Sequence, residues 1–149
     1  MVGLAIPHNR LSSCFSERLP YAVEVIEPGC FRRSVQTGRS GKGKHIFACW
    51  GHKRNGRKDN DWRIASTADG SLRLWQDSIG VWFSLPHVDL PADFTGVSIS
   101  LQAVSWRRET EQRWRLLEGF IKHVAILTGD ESPAYKETLT WTRLLTLQE

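Results

Sequence analysis

Apolar and small polar residues alternate from residue 97 to 101 (Val-Ser-Ile-Ser-Leu), the two-residue period of a half-buried strand. The pattern puts Val97, Ile99 and Leu101 on one face and Ser98 and Ser100 on the other. Gly96 permits a turn or a close backbone approach just before the first serine. Residues 2–6, 21–26, 45–50, 63–67, 71–75, 80–85, 114–117 and 120–128 read as further strands, and the residue-97 strand extends toward Trp106. Asp69-Gly70 lies between two of these runs and predicts a hairpin. Residues 138–147 alternate as well and count with the strands. Residues 30–36, after Pro28 and before Gly38, predict two turns of helix. The basic loop 39–44, the polar stretch 53–61 and the proline-bracketed stretch 86–93 read as connections, the last at most a short helix. About eight or nine short strands with few short helices predict a mainly β protein, a β-barrel or sandwich.

Composition narrows the class. A chain of 149 residues, 40% hydrophobic and 24% charged, fits one globular domain over residues 1–149. No apolar run approaches the roughly 18 residues of a membrane span. The first residues lack the basic start and apolar core of a secretory signal, so an intracellular protein is expected. Cys14, Cys30 and Cys49 are scattered, which predicts reduced, mostly buried thiols rather than disulfides or a cysteine zinc site. The net charge is +4, and residues 32–63 hold much of the positive charge. That stretch reads first as solvated loops around a strand, and second as a phosphate-contacting surface. The seven tryptophans fit a β core.

Among the five histidines no ligand cluster appears, so neither a metal nor another cofactor is expected. His8 and His87 stand beside prolines and are expected in solvent; His45 starts a strand and reads as structural. His52 follows an apolar strand and Gly51, where a rigid element would hold a general base. His123 falls inside an apolar run, and a buried imidazole needs a partner. A serine nucleophile requires a base and a group that orients it, roles that Ser98, His52 and His123 can fill. Ser98 is equally readable as a small polar filler of a strand. The absence of Gly-x-Ser-x-Gly argues against an α/β-hydrolase.

Taken in order, four segments resemble the prohead (capsid-maturation) serine proteases of tailed bacteriophages, relatives of the herpesvirus assembly proteases. They are Val-Ile-Glu-Pro-Gly-Cys-Phe at 25–31, Ala-Cys-Trp-Gly-His at 48–52, Gly-Val-Ser-Ile at 96–99, and His-Val-Ala-Ile-Leu-Thr at 123–128 followed by Pro-Ala-Tyr at 133–135. The resemblance covers residues 3–138. It implies a herpesvirus-protease-like β-barrel and a Ser-His-His endopeptidase, with Ser98 attacking, His52 relaying the proton and His123 orienting His52. Backbone N–H groups near Arg107 and Arg108 are the expected oxyanion donors. The implied substrates are the scaffold protein, the major capsid protein and the enzyme itself, cleaved inside the immature capsid in the host cytoplasm. A homodimer is implied, with no membrane partner and only incidental contact with nucleic acid. The basic stretch would meet acidic scaffold segments. Three positions depart from the family pattern: Ser100 replaces a glycine, Lys53 an aspartate and His123 a glutamate; the helix before the serine strand shrinks to residues 88–94. The rival expectations are a catalytically inactive protease-like β domain of a phage particle, favoured by Ser100, and a basic nucleic-acid-binding β-barrel.

Overall fold

The computed structural model describes residues 1–13, 23–52 and 56–148. Cys14, Tyr21 and Ala22 of the strand expected at 21–26, and residues 53–55 of the polar stretch 53–61, Lys53 among them, lie outside them. The chain runs β1 (Val2–Pro7), β2 (Val23–Ile26), α1 (Arg32–Thr37), β3 (Phe47–Trp50), α2 (Asp59–Trp62), β4 (Arg63–Ser66), β5 (Arg73–Gln76), β6 (Gly80–Ser84), β7 (Phe94–Thr110), β8 (Arg113–Thr128) and α3 (Glu137–Gln148). The protein is mainly β, as its alternation predicts.

β8 is the spine. β7 pairs antiparallel with it from Phe94↔Thr128 to Thr110↔Arg113. Along the other edge β2 pairs parallel with Arg113–Leu116 and β3 with residues 123–126. β4 continues the sheet beyond β3. The second sheet has the order β1-β6-β5. Between the sheets, Ile26, Phe31, Ile46, Leu72, Val81, Phe83, Leu85, Leu116, Ile121 and Ile126 are all under 2% exposed and form the core.

Four expectations require correction. The strands make two sheets and no closed barrel, because β4 and β5 do not pair: β4 joins β3 and β5 joins β6. Asp69-Gly70 is therefore not a hairpin turn. It carries the chain from one sheet to the other, with Asp69 accepting from Ser71 N–H at 3.0 Å. The strand expected to extend toward Trp106 runs on to Thr110, and β8 begins at Arg113 rather than as two separate runs. The Arg115 guanidinium steadies this outer half by donating to Glu27 at 2.8 Å and Glu109 at 3.2 Å. Finally, residues 138–147 are not a strand but most of α3. Thr138 and Thr142, four residues apart, share one helix face and are fully buried. The period of two came from threonines alternating with larger residues, while the contact that decides the element has helical spacing.

The helix predicted at 30–36 is α1. Gly38 ends it in the left-handed conformation at φ 67°, its N–H bonded to Ser34 O at 2.8 Å. Among the described residues, no helix is long and apolar enough to cross a membrane.

Candidate active site

Side chains of paired residues share a sheet face, so register alone assigns the faces of β7, β8 and β3. Ser98 pairs with Ala125 and Ala125 with Cys49; Ser100 pairs with His123 and His123 with Phe47. These residues lie on the face turned away from the core. Val97, Val124, Ile126 and Ala48 occupy the core face. Cys49, Ala125, Leu127 and Trp62 make a small apolar cluster of their own on the outer face, with Phe47 against it.

His52 is held by a short chain of contacts. β3 ends at Trp50, and Gly51 turns at φ 70°, its N–H bonded to Ile126 O at 3.0 Å. A side chain at Gly51 would meet the Glu131 carboxylate at 2.7 Å. Gly51 O accepts from Cys49 Sγ at 3.1 Å and from Trp62 Nε1 at 3.3 Å. The His52 imidazole then comes back along the sheet, and its Nδ1 lies 3.0 Å from His123 Nε2. Trp50 pairs with Ile126, so His52 stands two residues past the paired end of β3 and its ring reaches back to His123. Ser98 is the neighbour of Ala125 on the β7 side.

Ser98 and His123 are diagonal neighbours, a relation that places their Cα atoms about 7–8 Å apart. With Nδ1 engaged by His123, Nε2 has no hydrogen-bond partner among the described residues. Among the described residues Ser98 makes no side-chain hydrogen bond, and it is half-buried. His123 is 8% exposed and packs between Phe47, at 5.2 Å between ring centres, and Trp62, at 5.8 Å.

The electrostatics keep both imidazoles neutral. Burial lowers the His123 pKa to about 4, and His52, Lys122 and Arg63 push it the same way. The His52 ring also loses water and its pKa falls, although the neighbouring Glu131 carboxylate opposes the change. A neutral pair can share one proton along the 3.0 Å contact. When His52 Nδ1 donates to His123 Nε2, the lone pair of His52 Nε2 is left to accept a proton from elsewhere. Cys49, buried beneath this face, is pushed up to about 12 by desolvation and stays a thiol.

Arg107 and Arg108 do not approach the site. They pair with Arg115 and Trp114, nine or more residues along β7 from Ser98, which is on the order of 30 Å of strand. The expected oxyanion donors are therefore not there, because β7 runs on past Arg107 and Arg108 to Thr110. His8 is likewise not in solvent but 5% exposed, covered where β1 meets the residue-79 turn, with His8 N–H bonded to Ile79 O at 2.8 Å. His87 and His45 are exposed. Cys30 is buried, as expected. Among the described residues, no three His, Cys, Asp or Glu side chains converge as metal ligands would.

Sequence reasoning missed Glu131, Trp62 and Phe47. Glu131 also caps β8, accepting from Thr128 N–H at 3.1 Å, and only its place after the Gly129-Asp130 break hints at a turn role. Trp62 and Phe47 carry no positional signal, since an aromatic beside a strand fits either face.

No protein-family model matches the chain, and no curated protein or solved structure matches it significantly.

Proposed function

We propose that the chain is a serine endopeptidase in which Ser98 is the nucleophile, His52 the general base and His123 the group that orients His52. The observation that carries this reading is the 3.0 Å contact between His52 Nδ1 and His123 Nε2, made on the sheet face that also bears Ser98. A base whose far nitrogen is fixed by a third group is the arrangement that serine nucleophiles need.

In this mechanism Ser98 Oγ attacks a peptide carbonyl while His52 Nε2 takes its proton. The resulting imidazolium is stabilised through Nδ1 by the His123 lone pair, and the proton then passes to the leaving amine. Water repeats the sequence to release the acyl group. A neutral imidazole stabilises the imidazolium less than a carboxylate does. A loss of one or two kcal/mol, about tenfold or more in rate, follows. Such an enzyme suits a substrate held at high local concentration.

The resemblance of the four sequence segments extends the proposal to a herpesvirus-protease-like prohead maturation enzyme. It would act on scaffold and capsid protein inside the immature capsid, as a homodimer.

Intact mass after incubation with a fluorophosphonate tests the chemistry. One adduct is expected on the native chain, none on Ser98→Ala, and labelling slowed about 100-fold or more on His52→Ala. An unlabelled native chain overturns the reading in favour of an inactive β domain. An adduct that survives Ser98→Ala moves the nucleophile to Ser100, which lies directly opposite His123.

A further inference from the structure

Beside His123 the outer face opens into a groove of about 380 Å³ whose lining includes Ser100, His123 and the cations Lys42, Lys44, Arg63 and Lys122. The lining contains no aspartate or glutamate. Among the described residues none of the four cations has a salt-bridge partner. The size lies at the lower end for pockets that take small ligands or single side chains.

Three structural devices bring the four cations there, one of them a loop that carries both Lys42 and Lys44. Residues 39–45 form a tight loop, with an Arg39↔His45 bridge, Ser40 N–H bonded to Lys44 O at 2.8 Å and Arg39 Nη1 bonded to Gly43 O at 2.7 Å. The loop lies on the β7–β8 hairpin, where Gly41 faces the side chains of Gln102 and Phe120. Arg63 stacks its guanidinium 3.9 Å from the Phe47 ring centre. Lys122 reaches the same face as His123 because the register shifts between Ser100↔His123 and Leu101↔Ile121. That bulge leaves Lys122 unopposed on β7, and bulges re-aim side chains in this way beside active sites. Strict alternation would have sent Lys122 into the core with Val124.

Four like charges gathered in one concavity repel one another, and an anion between them relieves the repulsion. We propose that this groove is a specificity subsite for a glutamate or aspartate side chain of the peptide substrate. The assignment rests on the peptidase reading, because the groove begins at His123 and Ser100, one pleat from Ser98 on the same face. A carboxylate is favoured over a nucleic-acid strand by the aromatic content. Strand binders offer open rings for base stacking. Here Phe47 is the groove's one aromatic ring other than histidine, and it is covered by Arg63 and packed edge-on against Trp62 at 5.3 Å.

The test uses the full chain carrying Ser98→Ala and a fluorescein-labelled hexaglutamate peptide, read by anisotropy. The native chain is incubated with a fluorophosphonate in parallel. Saturable, salt-sensitive binding of hexaglutamate is expected, with none of hexalysine. Affinity should fall about tenfold or more in Lys44→Gln/Lys122→Gln, two exposed positions at which thermal melting checks the fold. No binding, or binding unaffected by that pair of changes, overturns the proposal. So does tighter binding of a hexathymidylate that the same pair of changes abolishes. Labelling without hexaglutamate binding overturns the subsite alone; binding without labelling supports the carboxylate site and overturns the peptidase reading alone.

Discussion

His123 makes the site sensitive to acid at the scale of a single residue. Its folded pKa, about 4, lies below the ordinary histidine value near 6.5. Above pH 6.5 it is neutral whether folded or unfolded. As the pH falls through 6.5 toward 4 the unfolded chain takes up the proton first, so stability is lost across that window, by up to about 3 kcal/mol. Urea titrations at pH 7.5 and 4.5 should show the loss, and His123→Gln should reduce it. Fluorophosphonate labelling should fall in the same direction, since protonated His52 accepts nothing. The profile should reach its plateau by neutral pH because the His52 pKa is itself lowered. Activity that rises on acidification would rule out a neutral histidine base.

At the scale of elements, bulges decide which residues share a face. Besides the one at Lys122, a register shift between Phe94 and Gly96 lets both Phe94 and Val97 point inward although they are three residues apart. Gly96 at this bulge has φ 151°, and a side chain there would meet Pro133 at 2.6 Å. Val97 N–H donates to Thr138 Oγ1 at 2.9 Å, so the first residue of α3 after Glu137 fixes the strand one residue before Ser98. Thr138→Val leaves that buried N–H without an acceptor, and a loss of about 1–3 kcal/mol is expected from chemical denaturation. Labelling of Ser98 should slow as well, because the backbone beside the nucleophile loses its anchor. Unchanged stability would show that the strand does not depend on α3.

Across the whole molecule, the two sheets share one core, and a buried pair ties the segment after β8 back to β2. Tyr135 donates to Glu24 Oε1 at 2.7 Å. Burial raises the Glu24 pKa while this hydrogen bond opposes the rise. A carboxyl group whose folded pKa is raised contributes stability below its unfolded value and loses it as the pH climbs through the folded one. Tyr135→Phe removes the donor and should cost about 1–3 kcal/mol at pH 7, and less near pH 4, where Glu24 is protonated. Equal costs at the two pH values would mean that Glu24 is not charged in the native protein.

Much of this was legible in the chain itself. Alternation at 97–101 put Ser98 opposite Val97 and Ile99, and Gly38 marked the end of α1. An apolar strand followed by glycine placed His52 at the end of a rigid element, and an imidazole within an apolar run implied that His123 had a partner. These are local features, set by the two-residue and 3.6-residue periods and by the conformations glycine permits. Sequence alone could not show that the partner was His52, because the two stand 71 positions apart and meet only when β3 pairs with β8. Nor could it foresee that Lys122 shares the His123 face, that β4 and β5 enter different sheets, or that residues 138–147 coil. Those outcomes depend on a bulge, on pairing partners and on two buried threonines, and each is settled by a long-range contact rather than by the residues' own neighbours in the chain.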